Sequence, residues 1–174
     1  MSNDDHEYER LIQPIEDQMM RSVWRITRDP DDADDALQEA LIKIWKRLNR
    51  IKRHPNPHAL IVRICINSAY DVLRVRANQR RHDELNTIAS NVPDPSPSSE
   101  ENITNQENRT EIFQAIEKLS QNQAETVLMR IIQGLPFRDI AQALGCREAT
   151  ARKHYARARN RLTKLLAHLA PFSS

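Results

Sequence analysis

The sequence predicts an all-α protein: two small helical domains joined by a flexible acidic linker, the second of them a helix-turn-helix domain. Three observations carry this expectation. Apolar residues recur at three- and four-residue steps almost throughout, and no run alternates convincingly as a strand would. Residues 83–104, "DELNTIASNVPDPSPSSEENIT", are rich in Pro, Ser, Asn and acid, a composition that buries too little apolar surface to offset the entropy of ordering it. Residues 136–155 read as a short helix, a tight turn at Gly145-Cys146 and then a cationic helix. The predicted organisation is a first domain over 1–82, a linker over 83–104 and a second domain over 105–174.

Each element follows from local pattern. Tyr8, Ile12, Ile15, Met19, Val23 and Ile26 mark one buried helix face, with a kink or restart expected at Pro14. "RDPDDADD" turns the chain and supplies a cap and acids for a new helix start. Ala33, Leu37, Leu41, Ile44 and Leu48 form the stripe of that next helix, and "NRIKRHPNPH" breaks it with two prolines. From Pro57 a third helix begins, apolar almost all round in its first half, as for a helix surrounded by neighbours, and basic at its end. Beyond the linker, Ile112, Ile116 and Leu119 resume the helical pattern. "SQNQ" at 120–123 offers a capping box, with Ser120 as N-cap and Gln123 at the third helical position. Ala124, Val127, Leu128 and Ile131 carry the following stripe. Pro136 lies near the next helix start, Gly145 at its stop, and a final helix runs from about Arg147 to Leu169.

Composition narrows the function classes. Net charge is only +2, yet the signs are segregated. Residues 1–40 hold 12 acidic and 4 basic side chains, 41–81 hold 1 and 11, 82–111 hold 7 and 1, and 112–174 hold 4 and 10. Two separate basic blocks point to two contacts with a polyanion. With 2 glycines, Gly-rich phosphate loops are absent. Cys65 and Cys146 lie far apart, which disfavours a zinc knuckle or a disulfide scaffold and suits reduced core thiols. The polar start "MSNDDHEYER" does not read as a signal peptide, and no apolar run approaches a membrane span. No nucleophile–base pair or metal constellation appears, so no enzyme activity, cofactor or metal is expected. The chain reads as soluble and cytoplasmic.

The second basic block holds the sharpest signal. Ile140 and Leu144 would face the core, Ala141 would let the following helix approach, and Gly145 would take a conformation that a side chain resists. In a helix-turn-helix the second helix enters the major groove and its N-terminal residues meet base edges. Arg147, Glu148, Thr150, Arg152 and Lys153 occupy that place. Arginine pairs bidentately with guanine, glutamate accepts from cytosine, and lysine holds a phosphate. Seven basic residues against one acid over 147–164 make the face one-sided.

The first basic block has a different design. Asn67 and Asp71 lie one turn apart on an apolar helix, Asp71 can pair with Arg74, and Arg63, Arg76, Arg80 and Arg81 extend the cationic surface. Beside the basic loop, such a helix can hold single-stranded DNA, phosphates on arginines and an extruded base in the loop. Taken alone, the same residues equally fit a surface helix with a satisfied Asn. The acidic stretch from Asp29 to Glu39 lacks the glycine and alternating ligands of a calcium loop. Asp31, Asp32 and Asp34 suit capping, whereas Asp35, Gln38 and Glu39, one helix turn apart, suit a polar protein-docking face beside Trp45.

Taken in order, "DADDALQEALIKIW" (32–45), "LIVRICINSAYDVLR" (60–74) and residues 115–166 resemble the extracytoplasmic-function group of bacterial sigma factors. The resemblance implies a non-catalytic RNA polymerase subunit. Its first domain would melt and read the minus-ten promoter element, and its second would read the minus-thirty-five element as duplex. Asp35, Gln38 and Glu39 match the motif that docks on polymerase. Asn67, Asp71 and Arg74 match the minus-ten helix. Thr150, Arg157, Ala158 and Leu162 match the recognition-helix signature. Ala59 and Ala151 depart from the family's usual tryptophan and branched residue. Implied partners are core RNA polymerase, promoter DNA and an anti-sigma factor or other regulator, with no membrane. The competing reading is a polymerase-independent helix-turn-helix regulator, which has no need of a second basic block beside an acidic docking helix.

Overall fold

The computed structural model describes residues 3–87 and 100–169, which are helices and short turns with no strand among them. Helices α1 (Asn3–Ile12), α2 (Glu16–Thr27), α3 (Pro30–Lys46), α4 (Leu48–Ile51) and α5 (Pro57–Thr87) precede α6 (Glu100–Glu117), α7 (Gln121–Gln133), α8 (Phe137–Leu144) and α9 (Glu148–Leu165). Both ends of the segment read as linker are therefore helical: 83–87 extend α5, and 100–104 open α6. Its middle, 88–99, lies outside the described residues.

Pro14 does restart the chain. It sits in a short 3-10 turn over Gln13–Ile15, since its ring cannot supply the N–H that a continuous helix needs. Arg28 ends α2 in the left-handed region at φ 55, its N–H donating to Trp24 O at 2.9 Å. Asp29 then caps α3, accepting from the Asp32 N–H at 3.0 Å, with Pro30 in the first turn. Such a cap contributes about 1 kcal/mol. Asn56 serves α5 in the same way, accepting from the Ala59 N–H at 3.0 Å. The capping box expected at Ser120 does not form. Ser120 holds the N-cap position without a side-chain bond, and its carbonyl alone takes the Ala124 N–H.

The buried side of α3 is centred on Ala33, Ala36, Ala40 and Ile44, while Leu37 and Leu41 are half-buried at its edge. Small side chains let α5 come close, and Ala69 on α5 meets Ala36 beside Val23 of α2. One core of the first domain gathers Leu11, Ile12, Met19, Ile44, Ile51, Ile61 and Cys65. Burial pushes the Cys65 thiol up to about 12, so it behaves as a core apolar group. In the second domain, Leu119, in the turn after α6, packs with Val127 of α7 and Ala158 of α9. Ile131, expected in that stripe, is instead 63% exposed.

A further core crosses between the domains. Ala59, Val62 and Ile66 of α5 pack with Leu128 and Met129 of α7 and with Ile140 and Ala141 of α8. This explains why α5 is apolar all round: α2 and α3 cover one side, and α7 and α8 cover the other. A linker reading alone suggests two independent bodies; the structure packs them together.

Gly145 closes α8 at φ +68, with the Cys146 N–H donating to Ala141 O at 2.9 Å. Nothing would crowd a Cβ there, so the cost of a side chain is backbone strain alone. Gly145→Ala is expected to lower unfolding free energy by about 1–2 kcal/mol, and Gly145→Asn by less, since Asn tolerates this region. Urea unfolding followed by circular dichroism checks the order; equal losses would contradict it.

Candidate nucleic-acid interface

The α8–turn–α9 unit is held from beneath. Ala151 and Ala158 are fully buried, and Tyr155 and Leu162 are half-buried on the same stripe. The opposite face of α9 presents Arg147, Glu148, Arg152, Lys153 and Arg157 to solvent, with Thr150 half-buried at its edge. This is the arrangement expected of a helix that packs on one side and meets a polyanion on the other. Arg152 is not a free cation, however. Its Nε and Nη2 donate to Glu148 Oε1 at 3.1 and 2.6 Å, and its guanidinium lies 4.7 Å from the Phe137 ring centroid. Phe137 in turn meets Tyr155 edge-on at 5.4 Å. An aromatic platform thus orients the arginine. The sequence signal for it is a phenylalanine opening α8, one helix away from the residue it serves.

The residues assigned to a melted strand divide three ways. Asn67, Asp71 and Arg74 lie along one line of α5, in phase with Arg63. Asp71 pairs with Arg74 at 3.3 Å and with Lys43 of α3 at 3.4 Å. Lys43 also reaches Glu39 at 3.4 Å and the buried Ser68 hydroxyl at 3.2 Å, so one ammonium ties α3 to this line. Arg63 and Asn67 turn toward α7. Arg63 Nε and Nη2 meet Glu125 Oε2 at 2.9 and 2.7 Å, and Asn67 Nδ2 donates to Oε1 at 2.8 Å. Glu125 is 3% exposed. It is the single acid between Lys118 and Arg138, the one sequence cue to its partnership.

Arg76 does not join that face. It follows Arg74 by two residues, roughly 200° around the helix, and it pairs with Asp32 at 2.6 Å and Asp29 at 3.6 Å. It therefore braces the start of α3 against α5. Arg80 lies on α5, and its side chain is outside those described. On α3 itself, Asp35, Gln38 and Glu39 are exposed together, opposite the buried Ala33, Ala36 and Ala40. Ile42 and Trp45, 49% and 47% exposed, continue that face, and Tyr8 stacks edge-on against Trp45 at 5.3 Å. Among the described residues no His, Cys, Asp and Glu group is placed to hold a metal ion, and no helix is long and apolar enough to cross a membrane.

Because Asp32 is buried beside a half-exposed Arg76, losing the cation removes a 2.6 Å ion pair from a buried carboxylate. Arg76→Ala is expected to cost about 1–2 kcal/mol of unfolding free energy after allowance for solvent screening. Arg74→Ala, from an exposed pair, is expected to cost less than about 0.5 kcal/mol. Chemical denaturation of both variants checks this; a larger loss for Arg74→Ala would contradict the division.

The comparisons with known proteins agree with this layout. "Sigma-70 region 2" matches residues 11–81, and "Sigma-70, region 4" matches residues 109–162. The probable RNA polymerase sigma factor RfaY of Xanthomonas campestris is 27% identical over 153 residues, 87% of this chain, although the chain spans only 38% of that relative's length. The ECF RNA polymerase sigma factor SigM of Mycobacterium tuberculosis is 28% identical over 169 residues, 97% of this chain and 82% of the relative. In fold, the chain is similar to the sigma factor RpoE solved with the anti-sigma factor NepR from Bartonella quintana. That likeness has a TM-score of 0.51 at 22% identity, over 92% of this chain and 96% of the other. With both regions matched in order, over residues 11–81 and 109–162, the chain belongs to the sigma-70 family of RNA polymerase sigma factors, in its extracytoplasmic-function group.

Proposed function

We propose that this chain directs transcription initiation in the cytoplasm by carrying core RNA polymerase to promoters and opening them there. In this reading residues 1–82 dock on polymerase and capture the melted minus-ten strand, and residues 105–174 read the minus-thirty-five element as duplex. The observation that carries it is the pairing of two surfaces across one packed layer. The exposed Asp35, Gln38 and Glu39 lie on α3, and the Asn67–Asp71–Arg74 line lies on α5, joined to α3 through Lys43. An anionic and amide-bearing face suits a basic protein partner. A polar line with flanking arginines suits a single strand whose bases are turned out. The relative solved with an anti-sigma factor supports a protein regulator for this chain as well.

If α3 docks as proposed, Gln38→Ala combined with Glu39→Lys is expected to abolish co-purification with core polymerase while leaving helix content unchanged. Both positions are exposed, so the fold has no need of them. Unchanged polymerase binding by the folded double variant would overturn the docking assignment, and tight promoter binding without polymerase would favour an independent regulator.

The two arginines of α9 are expected to separate base reading from phosphate holding. Arg152→Ala is expected to cost about 1–3 kcal/mol and to relax preference at one base pair. Arg159→Ala is expected to weaken all sequences alike and to reduce the salt slope by about one phosphate's share. Holoenzymes assayed on promoter libraries at several salt concentrations distinguish these. Sequence-blind losses at both positions would reduce α9 to a basic clamp.

A further inference from the structure

We propose that Glu125 is a built-in competitor for the melted strand, holding the free chain closed by occupying the donors that would otherwise meet DNA. The inference rests on the strand-capture reading of α5 and adds to it a mechanism of control. Its foundation is that Arg63 and Asn67, two residues of the strand face, are both engaged by one carboxylate of the other domain. Arg63 Nη2 and Nε lie 2.7 and 2.9 Å from Oε2, Asn67 Nδ2 lies 2.8 Å from Oε1, and Gln121 Nε2 lies 3.2 Å from Oε1. The remaining Arg63 nitrogen, Nη1, donates to Ala143 O at 2.8 Å, in the last turn of α8. Anionic oxygens facing a guanidinium, with a further oxygen taking an amide N–H, are what a phosphate and a base edge would offer the same two side chains. The donors cannot serve both partners.

The surrounding contacts make this a closure rather than an isolated pair. Ala59, Val62 and Ile66 of α5 bury their side chains against Leu128, Met129 and Ile140. Around that apolar centre, Asn56 donates to Gln142 at 3.0 Å, Arg25 donates to Ile132 O, and Arg109 donates to Thr27 O at 2.8 Å. An apolar centre with polar bonds around it is the make-up of a separable domain interface. A partner that binds only the open arrangement shifts the equilibrium by its differential affinity. In the closed form, the Glu125 carboxylate is buried against the Arg63 guanidinium. Once the domains part, it is free to hydrate, and Arg63 and Asn67 are released together.

The test uses the full chain, with and without core polymerase, and a short fluorescent single-stranded DNA pool of random sequence. Glu125→Gln removes the charge while keeping the shape, and Glu125→Asp keeps the charge while shortening its reach. Circular dichroism establishes that each variant is folded. Without polymerase, Glu125→Gln is expected to bind the strand roughly 10- to 100-fold more tightly than the natural chain, and Glu125→Asp to fall between them. Adding Asn67→Ala or Arg63→Ala to Glu125→Gln is expected to erase the gain. In the holoenzyme, Glu125→Gln is expected to change strand affinity less than about twofold, since polymerase has already opened the chain. The proposal is overturned if neither folded variant binds more tightly than the natural chain, or if the gain survives loss of both Asn67 and Arg63. Failure of the underlying reading looks different: strand affinity of the holoenzyme would then be indifferent to Asn67→Ala.

Discussion

The structure depends on α5 being enclosed. A helix of 31 residues that, Arg63, Asn67 and Ser68 apart, is apolar from Ala59 to Ala69 must be covered on most sides, and α2, α3, α7 and α8 supply the cover. Hydrophobic burial makes that arrangement favourable, at about 25 cal/mol for each Å² of apolar surface removed from water. The same enclosure dictates what polar groups on α5 can do. Each must find a partner inside the protein or reach past the covering helices to solvent. Arg63 and Asn67 take the first route through Glu125, whereas Arg74 takes the second.

This constraint places the proposed docking and DNA-contacting surfaces relative to one another. The close approach of α3 to α5 through Ala33, Ala36 and Ala40 leaves the far side of α3 to Asp35, Gln38 and Glu39. Arg76 and Asp32 link the start of α3 to α5, and Lys43 links its middle, so the proposed docking face and strand line are tied to one another. The second domain has the same logic on a smaller scale. Two buried alanines of α9, Ala151 and Ala158, seat the helix closely, and its cations have only the outward face to occupy. Side chains held by such packing and ion pairs would need little ordering by a partner.

Much of this was legible in the sequence. The helical steps, the restart at Pro14, the left-handed stop at Gly145 and the one-sided α9 all follow from local rules that act within a few residues. The alanines of α3 were harder to read, because Ala36 and Ala40 carry little hydrophobicity and their importance lies in how closely they admit α5. Ser120 shows the limit of a capping motif: its backbone takes the N-cap position while the side chain makes no bond. Charge alone groups Arg76 with the arginines expected to face DNA, although its helical phase sets it apart. The partnership of Glu125 is not visible in local pattern, because its partners lie 58 and 62 positions away. Periodicity shows that α5 needs cover, and it does not say which helix provides it. Local pattern does not say which polar face would meet polymerase and which DNA; that division is implied by the family resemblance alone and stands as a proposal.

The most direct measurement of the central claim, that the Asn67–Arg74 line captures the melted strand, is permanganate footprinting of promoter thymines alongside a gel shift of the closed complex. Holoenzyme carrying Asn67→Ala and Arg74→Ala is predicted to form the closed complex within about twofold of the natural chain and to lose most thymine reactivity in the minus-ten region. Matched losses of closed and open complexes, or full reactivity in the variant, would contradict the assignment of this helix to strand capture.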